Sequence, residues 1–358
     1  MMPRVLSRYI ARRFLWTLGL MLAFGCLVIF LADYVEVLRR FSDEEAFTGL
    51  LGIELAAMHV PILLDTALPF AFLFSALLCL LDLSRKLELV VARASGVSVW
   101  GFLRAPFAVA IVFGAAATAF LNPLAVAMKE RSDNVEAQIR GRTAWSQGHW
   151  FRQEGGNGYS IVHIASAEAD GRVIFGVAAY AYNRDGKFRE KIQSPRGELF
   201  PGHWILADAT VSSADEAPRV VVRYELPTTL TAHEVRRRFV EPETISVWSL
   251  PGFISTAERA GLNPDPFRVA LHALLSRPVF FLAMVLIAAT VSLRLTRYGG
   301  TWRLILTGAT IGFLLYAFSQ IASDLGGNGI IDPVLAAWLP PIVALTLGAT
   351  ALLFQEDG

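Results

Sequence analysis

The chain has 358 residues and a net charge of +1, and 54% of its residues are apolar while 18% are charged. A soluble domain carries roughly 25% charged residues, so this composition favours a membrane protein. The near-neutral balance excludes a globally basic nucleic-acid-binding protein and an acidic disordered tail. Cys26 and Cys79 both lie in long apolar runs, which excludes a secreted disulfide framework and a metal knuckle.

Six apolar runs predict six membrane-spanning helices. They cover residues 14–32, 55–81, 105–128, 269–293, 304–323 and 333–355. Each is close to the roughly 20 residues that cross a bilayer as a helix. The first run is longer than the apolar region of a signal peptide, so we interpret it as a membrane helix.

Basic residues in the short flanks of these runs predict the orientation, because such residues stay on the cytoplasmic side. With both termini in the cytoplasm, the cytoplasmic flanks carry Arg4, Arg8, Arg12, Arg13, Arg85, Lys86, Arg93, Arg104, Arg294, Arg297 and Arg303. The short segments on the opposite side carry Arg39 and Arg40. Residues 129–267 are therefore predicted to lie outside the cytoplasm.

The long segment between the third and fourth runs has the alternation of β-strands. Strand-like patterns occupy residues 159–164, 173–182, 204–211 and 220–226, and glycine-containing turn signals separate them. This spacing favours an antiparallel sandwich or jelly roll. The predicted fold is an α-helical membrane protein with six transmembrane helices, three before and three after an inserted periplasmic β-jellyroll-like domain.

The corresponding domain boundaries follow from these patterns. Residues 1–128 hold the first three membrane helices and a cytoplasmic helix at about 85–97. Residues 129–267 form the periplasmic region, with the β domain at about 140–245, and residues 268–358 hold the last three membrane helices.

Catalytic and metal-binding signatures are absent from the sequence. There is no phosphate-binding loop, no H-E-x-x-H, no C-x-x-C and no G-x-S-x-G, and the six histidines are scattered. We therefore expect a non-enzymatic protein without a metal site. If the protein performs directional transport, the energy must come from an ion gradient or from another subunit.

Two ionisable residues lie deep in the predicted spans, Asp65 in the second and Arg277 in the fourth. Intramembrane charges are costly and are kept for function in ion-coupled carriers. The alternative is that these groups lie near an interface, or pair with each other for packing.

The segment between the second and third spans predicts a short helix. Leu87, Val90, Val91 and Ala94 recur at helical spacing, and Ser95-Gly96 end the pattern. A helix in this position has the geometry of a coupling helix that docks on a soluble partner, with Glu88 available for a basic group of that partner. The alternative is an amphipathic helix that rests on lipid headgroups.

Three motifs resemble the LptF/LptG permeases of the lipopolysaccharide exporter: "RYI" at 8–10, "YVEVLRR" at 34–40 and "ELVVARASGVS" at 88–98. The basic pair after the first span is more typical of the LptG branch than of the LptF branch. The resemblance covers essentially the whole chain, including its three helices, β domain and three helices.

This resemblance implies the transmembrane subunit of an ABC-type exporter in the inner membrane of a Gram-negative bacterium. The implied partners are an LptF-like permease, an LptB-like ATPase dimer, LptC, and LptA through the periplasmic bridge. The chain itself would hold no cofactor, because ATP and Mg would be used by the partner ATPase. The implied ATPase-coupling residues are Arg85, Glu88, Leu89, Arg93, Ser95 and Gly96.

Four basic residues follow spans on the predicted periplasmic side and could bind the phosphates of lipid A. They are Arg39, Arg40, Lys129 and Arg131. The alternative is that they are ordinary solvated flank charges. LptG-type proteins often carry a lysine about six residues before the basic pair, where this chain has Asp33, so we leave Asp33 out of the predicted phosphate site.

Two other functions remain open from the sequence. The chain could be an ion-coupled lipid carrier that works without an ATPase, in which case Asp65 would have to titrate. It could also be a membrane anchor that holds the β domain and transports nothing.

Overall fold

The computed structural model describes most of the chain in two compact units. The described residues are 4–42, 44, 47–139, 149–155, 158–167, 172–183, 186–213, 218–229, 242–259, 263–293 and 301–357. The membrane unit comprises Met1–Arg39, Gly52–Lys129 and Ile245–Gly358, and the second unit comprises Arg40–Leu51 and Glu130–Thr244.

The first half of the helical part is built from five α-helices. They are α1 (Arg4–Phe41), α2 (Gly49–Arg85), α3 (Glu88–Ala94), α4 (Val99–Ala116) and α5 (Asn122–Ile139). One π-helical turn, Ala117–Leu121, joins α4 directly to α5.

After the β domain, a short 3₁₀ turn precedes the second set of helices. They are α6 (Leu250–Arg259), α7 (Asp265–Ser292), α8 (Thr301–Gly327) and α9 (Pro333–Asp357). Within the described residues, six helices are long and apolar enough to cross a membrane. They are α1, α2, the continuous α4–α5, α7, α8 and α9, which confirms the six predicted spans.

The aromatic ring of Phe72 on α2 lies at the centre of the membrane unit. It stacks on Phe281 of α7 at 4.5 Å between ring centres and meets Phe113 of α4 edge-on at 5.4 Å. Phe14 of α1 lies 6.2 Å from the same ring. These four side chains join four helices, and such aromatic pairs add about 0.5–1.5 kcal/mol each beyond their burial.

Helix α8 packs on α2 through two glycines at helical i, i+4 spacing. A Cβ on Gly308 would lie 3.0 Å from the side chain of Leu77, and a Cβ on Gly312 would overlap the side chain of Leu73. The G-x-x-x-G spacing therefore makes a smooth strip on α8 that receives two leucines of α2, as small residues do in membrane helix pairs.

Helices α1 and α8 are the least buried of the spans. Only 11% of the apolar window of α1 and 17% of that of α8 is buried within the chain, compared with 67% for α7. Helix α7 is thus the core helix of the unit, while α1 and α8 present most of their apolar surface to whatever surrounds the chain.

The π-helical turn is held by the chain that returns from the β domain. The indole Nε1 of Trp248 donates to the carbonyl oxygen of Ala119 at 3.1 Å, and the backbone N–H of Val247 donates to Oδ1 of Asn122 at 2.9 Å. A π-helical turn disturbs the regular helix hydrogen bonds, and these two bonds engage groups at that irregularity.

The β domain is one antiparallel sheet of six described strands. They are β1 (His149–Gly155), β2 (Gly158–Ala167), β3 (Val173–Asn183), β4 (Phe188–Phe200), β5 (His203–Ser213) and β6 (Arg219–Pro227). Their spatial order follows the sequence, so each described strand pairs with its neighbours in the chain. This order is simpler than that of a two-sheet jelly roll.

The sheet curls so that β1 approaches the end of β6. The side-chain oxygen of Gln153 accepts hydrogen bonds from Nε1 of Trp204 at 3.2 Å and from Oγ1 of Thr228 at 2.7 Å. Gly155 lies against the carbonyl oxygen of Pro227, where a Cβ would have no room. The inner face is apolar and includes Val162, Ile164, Val177, Ile192, Leu206 and Val211.

The predicted fold class is confirmed: three membrane helices precede and three follow an antiparallel β domain. Two strands, β1 and β4, were not predicted. β4 reads FREKIQSPRGELF, which is mostly polar and contains Pro195, a residue without the N–H that a strand ladder requires. Ser194 compensates locally, because its hydroxyl donates to the carbonyl of Ala207 on β5.

Candidate functional site

The short helix α3 lies between the ends of two membrane helices because both of its ends turn sharply. Leu87, immediately before α3, has φ +60°, and Gly96 after it has φ +81°. A left-handed conformation costs a residue with a Cβ about 1–2 kcal/mol, so the site at Leu87 is strained while Gly96 is well suited to it. The next helix then starts at Ser98, whose Oγ accepts the N–H of Gly101 at 3.2 Å.

Helix α3 has one face on the membrane unit and one face outward. Leu89 and Ala92 are buried against the unit. Leu87 and Val91, four residues apart, are exposed by 61% and 67%, and Arg93 is also exposed. Leu87 and Val91 thus form an apolar strip that the described part of the chain leaves largely uncovered.

A buried guanidinium ties α3 to α1 and α2. Nη1 of Arg13 on α1 donates to both carboxylate oxygens of Glu88 at 3.1 and 3.2 Å, and Nη2 donates to the carboxylate of Asp82 at the end of α2. Nη1 also donates to the hydroxyl of Tyr9 at 2.7 Å. We call Arg13, Asp82 and Glu88 the Arg13 clamp.

The side chain of Arg13 is only 15% exposed, whereas Asp82 and Glu88 are 47% and 35% exposed. Hydrogen bonds to charged groups contribute about 1.5–3 kcal/mol when shielded and far less in solvent. We therefore assign the clamp a stabilisation of about 1–2 kcal/mol for the position of α3.

The predicted coupling residues divide into two groups in the structure. Arg85, Arg93, Ser95 and Gly96 are exposed around α3. Leu89 instead packs inward, and Glu88, whose side chain is 35% exposed, accepts hydrogen bonds from Arg13 of the same chain. The role of these six residues in ATPase coupling stays a prediction. Two exposed apolar residues, Leu87 and Val91, were absent from the predicted set, although the helical spacing of the segment includes both.

An open groove lies between α1, α2 and α8. Its volume is about 550 Å³, and it is lined by Ile29, Ala32, Asp33, Leu63, Thr66, Ala67, Phe70 and Tyr316. Phe70 and Tyr316 meet with ring centres 5.1 Å apart and join α2 to α8 at one wall. Such an apolar groove on a membrane unit suits an acyl chain.

Asp33 lines this groove and is held by a histidine of α2. Nδ1 of His59 lies 2.7 Å from Oδ2 of Asp33, and the two side chains are 10% and 16% exposed. The sequence analysis left Asp33 out of the phosphate site because its carboxylate would repel phosphate. In the structure, Asp33 lines the groove between α1, α2 and α8.

The intramembrane charges Asp65 and Arg277 form one bidentate ion pair. Nη1 and Nη2 of Arg277 on α7 donate to the two carboxylate oxygens of Asp65 on α2 at 2.7 and 2.8 Å. Both side chains are 16% exposed. This geometry is the paired arrangement that the sequence left open, and it engages both oxygens of Asp65 with Arg277.

The four predicted phosphate-binding residues are divided between the two units. Arg39 and Lys129 belong to the membrane unit, and Arg40 and Arg131 belong to the second unit. Arg39 is exposed by 78% and its Nη2 lies 2.7 Å from a carboxylate oxygen of Glu36. Arg40 and Arg131 are exposed, and Lys129 is half-buried. Their role in phosphate binding stays a prediction.

Comparison with known proteins places these features in one family. The family model of the lipopolysaccharide export system permease LptF/LptG matches residues 8–354. The lipopolysaccharide export system permease protein LptG of Escherichia coli strain K12 is 23% identical over 350 residues, which are 94% of this chain and 94% of that protein. LptG of E. coli O6:H1 strain CFT073 matches with the same identity and coverage.

Proposed function

The chain belongs to the LptF/LptG family of lipopolysaccharide export permeases, as its motifs predict, and from that premise we propose that it extracts lipopolysaccharide from the inner membrane while a partner subunit hydrolyses ATP. The proposed assembly contains an LptF-like permease, an LptB-like ATPase dimer and LptC, with LptA as the periplasmic acceptor. The termini and α3 face the cytoplasm, and the β domain lies in the periplasm. ATP and Mg belong to the ATPase, and this chain is non-catalytic.

The exposed face of α3 is the observation that carries this proposal. Leu87 and Val91 form an exposed apolar strip at the end of the helices where the basic flanks predict the cytoplasm. A cytoplasmic ATPase can bury this strip in a groove of its own, as amphipathic helices do in their partners.

The Arg13 clamp supports transmission of a movement from α3 to the membrane helices. Arg13 is on α1, so a push on α3 reaches α1 through side-chain bonds as well as through the backbone that leads to α2 and α4. The backbone route alone passes through the turns at Leu87 and Gly96.

The groove supports the handling of an acyl chain. It is bordered by α1 and α8, the two spans with the least burial inside the chain. In the proposed assembly, the uncovered sides of α1 and α8 face the LptF-like permease, and the groove forms part of the cavity between the two permeases. A displacement of α1 then changes the width of that cavity.

The experiment uses the complex of this chain, the LptF-like permease, the ATPase dimer and LptC, reconstituted in proteoliposomes with LptA as acceptor. We expect ATP-dependent release of lipopolysaccharide by the wild type. Arg13→Ala should reduce release per ATP about tenfold, since the clamp contributes about 1–2 kcal/mol, with the ATPase still bound. Arg12→Ala is the matched control, because Arg12 is exposed one position away.

Three results decide the proposal. Wild-type release that occurs without ATP, or no release with ATP and the ATPase bound, overturns it. Equal release per ATP by Arg13→Ala and Arg12→Ala overturns the role of the clamp while leaving the transport function standing. Loss of ATPase binding in Leu87→Asp combined with Val91→Asp, but not in Arg12→Ala, supports the docking face.

A further inference from the structure

We propose that the groove recognises a protonated amine on the lipopolysaccharide headgroup through the carboxylate of Asp33. This inference rests on the proposed function and names the class of cargo: lipid A whose headgroup carries a primary amine. It differs from the phosphate recognition that the sequence suggested for the basic residues at the end of α1.

The charge of the groove lining is the first argument. Among its eight lining residues, Asp33 is the one with an acidic or basic side chain, and the others are apolar or carry a hydroxyl group. In a medium of low polarity, a carboxylate attracts an ammonium and repels a phosphate several times more strongly than in water. A headgroup with bare phosphates is therefore disfavoured in this groove.

The geometry of Asp33 is the second argument. Its Oδ2 is held by Nδ1 of His59 at 2.7 Å, whereas its Oδ1 receives no hydrogen bond from any residue that the structure describes. His59 therefore fixes the carboxylate and leaves one oxygen for a ligand. An ammonium has three N–H donors, and the hydroxyl groups of Thr66 and Tyr316 in the same lining supply further acceptors.

The order of charges along α1 is the third argument. Arg39 lies six residues after Asp33, which is about 9 Å along a helix, and Arg39 is 78% exposed. The helix thus presents an anion in the groove and, beyond it, an exposed guanidinium whose Nη2 lies 2.7 Å from a carboxylate oxygen of Glu36. A phosphate substituted with an amine carries the complementary charges, with the phosphate towards Arg39 and the amine towards Asp33.

The test compares two lipid A preparations in proteoliposomes that contain the full complex: one with amine-substituted phosphates and one with bare phosphates. We expect the wild type to release the amine-bearing lipid about tenfold faster. Asp33→Asn, which keeps the size and a hydrogen bond to His59, should remove this preference, and Asp33→Lys should reverse it. Glu54→Gln is the matched control, because Glu54 is an exposed acid near the start of α2 outside the groove lining.

The outcomes separate this inference from the proposed function. If the wild type releases both lipids equally with ATP, or if Asp33→Asn keeps the preference, the amine site is wrong and the exporter stands. If the wild type releases neither lipid with ATP, the exporter itself is wrong. Mass spectrometry identifies the lipid that each purified complex retains. The inference is also overturned if the lipid that the wild type retains and Asp33→Asn loses is an amine-bearing phospholipid and not amine-bearing lipid A.

Discussion

Removal of one partner from the Asp65–Arg277 pair should destabilise the membrane unit far more than removal of both. The pair is closed by hydrogen bonds of 2.7 and 2.8 Å, and both side chains are 16% exposed. At 4 Å and an effective dielectric constant of 20, such a pair attracts by about 4 kcal/mol. Arg277→Leu leaves the carboxylate without its partner, so we expect the free energy of unfolding to fall by about 3–5 kcal/mol.

Asp65→Leu combined with Arg277→Leu removes both charges and fills the space with apolar groups. Buried ion pairs replaced in this way usually lose little stability, so we expect the double variant to regain most of the loss. The measurement is thermal unfolding of the purified complex in detergent, followed by lipid release per folded complex. In our interpretation, the release per folded complex is the same in all variants, and only the folded fraction changes.

An ion-coupled carrier makes the opposite prediction for the same variants. A proton-carrying Asp65 must titrate during transport, so Asp65→Asn would abolish transport in a fully folded complex, and the double variant would stay inactive. A folded but inactive double variant would therefore refute our interpretation of the pair. A double variant as unstable as Arg277→Leu would refute the argument from charge pairing.

Three further predictions concern packing, the π-helical turn and the β domain. Gly312→Val should destabilise the contact of α8 with α2 by about 1–3 kcal/mol, measured by thermal unfolding. Gly19→Ala, with open space around it, should not destabilise the protein, because alanine favours a helix over glycine. Trp248→Phe removes the donor to Ala119, which should cost about 1 kcal/mol and speed amide hydrogen exchange in the adjoining turn; unchanged exchange would contradict this. Burial and a hydrogen bond to a carboxylate raise the pKa of Tyr224 to about 12, compared with about 10 in an unfolded chain. The free energy of unfolding, measured with urea, should therefore fall between pH 10 and pH 12. Tyr224→Phe should make this fall smaller.

The features that could be predicted from the sequence are those that depend on short stretches of chain. Hydropathy over about 20 residues identifies a span, and the pattern of Leu87 to Gly96 identifies α3. The Asp65–Arg277 pair was also accessible, because two charges in otherwise apolar spans have few other partners. The predicted strands lie on β2, β3, β5 and β6, whose apolar alternation is regular.

The features that escaped prediction depend on contacts between distant segments. Glu88 and Arg13 are 75 residues apart, and the periodicity of α3 says which residues share a face but not what that face meets. For the same reason the burial of Leu89 could not be predicted from the spacing of α3. The position of Asp33 in the groove also depends on residues of α2 and α8, which the sequence of α1 does not indicate.

These contacts give α1 a particular position in the proposed mechanism. Arg13 and Asp33 are on one continuous helix and 20 residues apart, which corresponds to about 30 Å. One end of α1 is bonded to α3 by the Arg13 clamp, and the other contributes Ile29, Ala32 and Asp33 to the groove. Only 11% of its apolar window is buried, and its described contacts are concentrated at buried positions such as Phe14, which packs near Phe72. A displacement of α3 by the ATPase is therefore expected to move the wall of the groove that carries Asp33, so the same movement that narrows the groove also shifts the group that holds the headgroup.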